Sequence, residues 1–234
     1  MTRSAVVCGL TYIAVALFSG CVVHKTVDDT KQRMEERARL QSVEPSYVAH
    51  YEVSLIEVQR SLSARARFGD MKIESDPGKG LFMAEDQLMR ITWAGPDDQL
   101  GFDLLNKSET PVKILWDAAA YVDITGQSRM VIHSGVKLAD RNSPQAPSVI
   151  TGKGSLSDIV YPRDHVSFYG NWSQRPMFPC LQEGYVCTDP ERRLVAAHNG
   201  SVYRVLLPVE AGTETYQYTF VFKVNKAGLV AVKK

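Results

Sequence analysis

The sequence predicts an all-β protein, a two-sheet antiparallel sandwich carried on a short amino-terminal helical tether. Three observations predict it. From about residue 46 onward, short runs rich in Val, Ile, Tyr, Phe and Leu are punctuated by turn residues. Alternation is visible within the run Thr219-Phe220-Val221-Phe222-Lys223-Val224, where Phe220, Phe222 and Val224 share one face. No helical segments alternate with these runs, which argues against βαβ units and for two packed sheets.

The chain begins with elements that are not part of that domain. Arg3 precedes an uncharged, mostly apolar stretch from Ala5 to Phe18, followed by Ser19, Gly20 and Cys21. This is the order of a secretory signal peptide, residues 1–20. The alternative is an uncleaved anchor helix, for which the apolar run falls short of the roughly 20 residues of a membrane span. Leu17-Phe18-Ser19-Gly20-Cys21 resembles the lipobox of bacterial lipoproteins, with Phe18 where that family prefers Leu. The resemblance implies cleavage before Cys21, diacylglyceration of its thiol and acylation of the new amino group. Several acyl chains hold stably where one holds marginally. Val22 after the cysteine, rather than Asp, implies passage to the outer membrane in enterobacterial members. Residues 21–45 then form a charged tether. Its stretch 28–42 has good helix formers and no Gly or Pro, but too few apolar residues for a packing stripe.

The domain proper spans 46–234. Candidate strands are 47–58, 70–75, 88–94, 100–105, 112–116, 119–123, 129–133, 158–160, 166–169, 202–209, 216–224 and 229–233. Turn signals separate them at 94–98, 106–111, 125–127, 210–214 and 225–228. Ser75-Asp76-Pro77-Gly78-Lys79-Gly80 lacks the spacing of a phosphate-binding loop and reads as a hairpin tip. A short helix is expected from Thr188-Asp189-Pro190-Glu191, a capping residue followed by Pro, to near Gly200. The pattern L-x-N-K-S-x-x-P-V-x-I at 104–114 resembles strand-turn-strand segments of immunoglobulin-like bacterial domains. The mature part accordingly resembles immunoglobulin-like β-sandwich lipoproteins, a likeness that implies no activity. Ile91, Trp93, Phe102, Leu104, Ile114, Trp116, Tyr121, Val131, Val205, Leu207, Phe220 and Phe222 fall at strand spacing and are assigned to the interior.

Cysteine usage points to the same compartment as the signal. Cys8 leaves with the signal and Cys21 carries lipid, so Cys180 and Cys187 remain. A leftover pair in an oxidising compartment reads as a structural disulfide. C-x6-C fits neither a metal pair nor a redox motif. It pins a loop at 170–201 in which Trp172, Phe178 and Tyr185 are candidate interaction residues, or else cap the core.

Chemistry is sparsely signalled. No nucleophile elbow, zinc-binding H-E-x-x-H, Walker loop or dinucleotide fingerprint occurs. One polar constellation is a candidate binding site: His133, Asp140, Arg141, Asp164 and His165, if the intervening segment loops across one edge of the sandwich. The simpler reading is ion pairs pinning a long loop. With 27 basic and 26 acidic residues, no long-range field favours nucleic acid, so none is expected as partner. No cofactor is expected and no catalytic residue is assigned. The sequence thus describes a non-enzymatic envelope module, held at the membrane through acyl chains and partnered by another envelope protein. The alternatives are a metal- or small-ligand-binding lipoprotein using the His133 to His165 region, and an envelope hydrolase.

Overall fold

The computed structural model describes residues 31, 32, 35, 46–96, 98–181 and 187–232. The segment expected to be a signal peptide, residues 1–20, and Cys21 lie outside them. Of residues 21–45, the expected tether, Lys31, Gln32 and Glu35 are described and helical, with Lys31 and Glu35 paired one turn apart at 4.0 Å. Among the described residues, no helix is long and apolar enough to cross a membrane. Residues 46–234 form a compact unit of their own.

The domain is all-β, with fourteen strands and two α-helices among its described residues. In chain order the first half comprises β1 (Ser46–Arg60), α1 (Leu62–Phe68), β2 (Lys72–Asp76), β3 (Leu81–Glu85), β4 (Met89–Ala94), β5 (Leu100–Asn106), β6 (Val112–Ile114) and β7 (Ala120–Val122). The second half comprises β8 (Ser128–Ile132), β9 (Ser148–Ile150), β10 (Ser155–Pro162), β11 (Val166–Phe168), β12 (Trp172–Gln174), α2 (Asp189–His198), β13 (Val202–Ala211) and β14 (Glu214–Val232). Twelve strands hydrogen-bond as one antiparallel sheet in the order β1-β14-β13-β7-β8-β10-β5-β4-β3-β2, with β6 pairing to β13 and β9 to β6 off this path. The sequence expectation of two sheets meets a continuous ladder, because Tyr161 and Pro162 of β10 pair with Ile132 and Val131 of β8. The two end strands approach each other, and Ser75 Oγ donates to the Leu55 carbonyl at 3.1 Å. The sheet is therefore curled nearly into a barrel. β11 and β12 form a separate hairpin.

The alternating strand sequences explain the core. Met89, Ile91 and Trp93 of β4 point inward, as do Leu100, Phe102 and Leu104 of β5. Trp93 meets Phe102 of its neighbour and, across the interior, Phe220 and Phe222 of β14 at 5.1 and 5.6 Å. Phe82 of β3 meets Phe222 edge-on, and Phe222 stacks on Tyr203. All twelve residues assigned to the interior from the sequence are buried. Fully buried rings of this size stabilise by about 2–3 kcal/mol each.

Five elements depart from the sequence expectation. β3, β9, β12 and α1 form where the sequence signals no element, and β14 replaces two expected strands. α1 packs on the sheet, burying Ala64 and Phe68, with Phe68 edge-on to Tyr216 of β14 at 4.9 Å, and is capped by Ser61 Oγ and ended by Gly69 at φ 70. The turn expected at 225–228 does not form. β14 runs straight through it, because Asn225 is absorbed as a bulge between the pairs Val53↔Val224 and Glu52↔Lys226 and its amide donates to Ser54 Oγ at 2.7 Å. The turn at 75–80 forms the β2–β3 hairpin as read. The 104–114 segment is organised by buried Asn106, whose Nδ2 donates to Thr110, Ile150 and Thr151 carbonyls while Oδ1 accepts from Ser108. Gly152 is obligatory beside it, since a Cβ there would lie 2.1 Å from the Glu109 carbonyl oxygen.

Candidate functional site

The five residues of the predicted constellation divide among three places. His133 and Asp140 line an open cleft of about 460 Å³ with the 134–148 loop. Arg141 and Asp164 line a second, of about 360 Å³, and His165 a third, of about 220 Å³. Among the described residues, no group of three or more His, Cys, Asp or Glu is placed to hold a metal ion.

His133, Arg141 and Asp164 each have a local partner that explains their position, and Asp140 is held through its backbone, its amide donating to the Lys137 carbonyl at 2.8 Å. His133 stacks flat on Trp116 at 4.3 Å, and its Nδ1 lies 3.2 Å from Asp158 Oδ2. Asp158 is buried and also accepts from the Ser134 and Ile159 amides. Sequence reading missed Asp158, which stands on β10 with no local motif to mark it. Asp164 pairs with Arg129, which Asp123 grips at 2.7 Å and Gln127 at 2.7 Å. Arg141 donates to the Leu138 carbonyl and lies over the Trp172 ring at 5.1 Å.

The disulfide-pinned segment builds the third cleft. Cys180 and Cys187 are bonded and buried, with their Cα atoms 5.2 Å apart. The segment lies along the free edge of β1: the Ala49 amide donates to the Cys180 carbonyl at 2.7 Å and the Tyr51 hydroxyl to the Pro179 carbonyl at 2.9 Å. This contact inserts Phe178 between Tyr51, His198 and Tyr203. Phe178 is therefore a core residue and not an interaction residue, because its ring completes the cluster between the barrel and α2. Trp172 remains exposed on β12, and Tyr185 lies outside the described residues. α2 starts where the sequence places it, with the Thr188 amide and hydroxyl both donating to Glu191 Oε2, and it turns Val195 and His198 inward.

Between these elements the cleft has an apolar floor of Ile124, Pro176, Met177, Pro179 and Leu194, with Arg175, Thr125 and Glu191 among its polar lining. Two histidines line it in neutral form. Burial, helped by the charge of Arg175, lowers the His165 pKa to about 4, and burial lowers that of His198. Each Nδ1 meets a carbonyl, Arg175 for His165 and Leu194 for His198, which fixes the proton on Nδ1 and leaves Nε2 as an acceptor. A volume of about 220 Å³ is below the roughly 300–1,000 Å³ of drug-sized ligand pockets, so the cleft suits one side chain or a short apolar group. Neither a family model, nor a curated protein, nor a solved structure matches the chain.

Proposed function

We propose that this chain is a lipid-anchored protein of the bacterial cell envelope, with the outer membrane favoured. In this reading it is a non-catalytic structural or interaction module whose partner is another envelope protein. Cys21 carries the acyl chains, residues 21–45 tether the domain, and the disulfide suits an oxidising compartment. The finer reading of the fold, an immunoglobulin-like sandwich, belongs to the same proposal and draws support from the rings of β3 and β4 facing those of β14.

The observation that carries the proposal is the cleft under the disulfide-pinned segment. It offers an apolar floor that includes half-exposed Leu194, the kind of pocket that receives an anchor side chain at an interface. A second reading, a small-ligand site, draws on His165 and His198, whose free Nε2 atoms would accept from a donor group on an apolar ligand.

The test is a photo-crosslinker placed at Leu194 in the full-length protein in its native envelope. One discrete protein adduct, lost when Met177→Asp accompanies the crosslinker, supports the module. Absence of any adduct, with a small molecule retained by the purified protein, replaces it with the ligand reading. Lipidation is tested separately: labelled palmitate enters the wild-type chain and not Cys21→Ser.

A further inference from the structure

We propose that the β11–β12 hairpin and the arginine cleft beside it form a docking surface for the phosphate headgroups of an anionic bilayer. The inference goes beyond the protein-contact reading and uses the neighbouring cleft, which shares only Arg129 with the first. Four observations carry it.

The hairpin is short, stands apart from the main sheet and is aromatic where it turns. Phe168 pairs across with Trp172, their rings 5.0 Å apart, and Tyr169 begins the turn between them. Their exposures are 56%, 40% and 88%, so three large rings face solvent within five residues. Trp and Tyr favour the interface between headgroups and acyl chains, where the ring meets apolar atoms and its polar edge stays wet.

Arg141 and Arg163 line the adjoining cleft of about 360 Å³, with Arg129 and Asp164. Arg129 is neutralised by Asp123 and Asp164. Among the described residues, no carboxylate lies within ion-pair distance of Arg141 or Arg163, and the buried Nε of Arg163 has no hydrogen-bond partner. Two guanidinium groups are thus left without a counter-charge beside an apolar finger. Arg141 rests on the Trp172 ring, which holds cation and aromatic together as one unit.

Charge complementarity selects the occupant. The whole chain carries a formal charge of +1, so any preference for an anionic surface is local to these residues. Guanidinium forks match phosphate oxygens, and rings flanking them favour a phosphate that sits on an apolar layer over a free one. A polybasic surface attracts through many lysines. Here two fixed arginines and an aromatic wedge give a weaker contact, sufficient for a domain that a tether already keeps near the bilayer.

The experiment uses residues 46–234, which carry the whole described core and no acyl chain, so its outcome is independent of lipidation at Cys21 and of any protein partner. Trp93 and Trp116 are buried, leaving Trp172 as the exposed indole reporter among the three tryptophans. Vesicles of phosphatidylglycerol with phosphatidylcholine are expected to shift its emission to the blue and to sediment the domain; phosphatidylcholine alone is not. Arg141→Gln with Arg163→Gln is expected to weaken sedimentation by about tenfold or more, and Trp172→Phe to abolish the spectral shift. Tyr169→Ser, at a side chain in open solvent, weakens binding without loss of fold and keeps the test open if the arginine pair is needed for folding. Equal sedimentation on the two vesicle types overturns the proposal, as does unchanged binding by both sets of variants. Binding of inorganic phosphate without vesicle binding also overturns it, by assigning the cleft to a soluble anion.

Discussion

At Asp86 four donors converge on a carboxylate sealed from solvent. Oδ1 accepts from the Leu88 and Met89 amides, and Oδ2 from Arg60 and the Tyr218 hydroxyl. Arg60 is itself buried and reaches the Gly69 carbonyl that ends α1, so one ion pair ties β1, the β3–β4 turn and β14 together. Removing one partner of such a pair leaves an uncompensated buried charge. Asp86→Ala is expected to lose about 3–5 kcal/mol in chemical denaturation, and Tyr218→Phe only about 1 kcal/mol. His165 makes a second prediction at this scale. Its ring takes a proton near pH 6.5 when unfolded and only near 4 when folded, because burial and Arg175 disfavour the cation. The unfolded state therefore binds more protons between those values, and stability falls as pH drops from about 6.5 to about 4. His165→Gln is expected to flatten this part of the stability-pH curve, while an unchanged slope would exclude the residue as its source.

Among the elements, the disulfide-pinned segment has the most to lose. It seals the β1 edge through the Ala49 amide and holds Phe178 in the core. Replacing Cys180 and Cys187 with Ala frees a short loop and is expected to remove about 2–3 kcal/mol, a loss that reductant should reproduce in the wild-type protein. A reductant-insensitive unfolding midpoint would contradict it. The sequence made strands such as β4, β5 and β13 legible, since their apolar residues recur at every second position. It hid β3, whose Leu-Phe-Met-Ala-Glu run has no β-branched residue, and α1, whose seven residues are too few to show helical period. Asn225 concealed the continuity of β14, because a bulge and a turn use the same residue types. The candidate site was legible only in part. The cysteine pair is read directly, but His133 finds Asp158 and Phe178 finds Tyr51 through pairings that no local spacing encodes.

For the whole molecule, burial and pairing grade the sheet from centre to edge. β13 and the middle of β14 are paired on both sides and buried, whereas β2 is an end strand with four of five residues exposed. Native-state hydrogen exchange is expected to be slowest in β13 and central β14 and fast in β2 and β12. Equal protection of β2 and β13 would show that the approach of the two sheet ends is a full closure. The pairing of β1 with β14 joins the first strand of the domain to its last, Ser46 opposite Val232. A chain emerging amino terminus first presents the apolar side chains of β1 long before their partners exist. The hairpins from β2 to β5 close locally and early, while β1 waits for residues about 170 positions away. Folding is thus committed only when the final strand arrives, and until then the leading strand is the segment most in need of a chaperone.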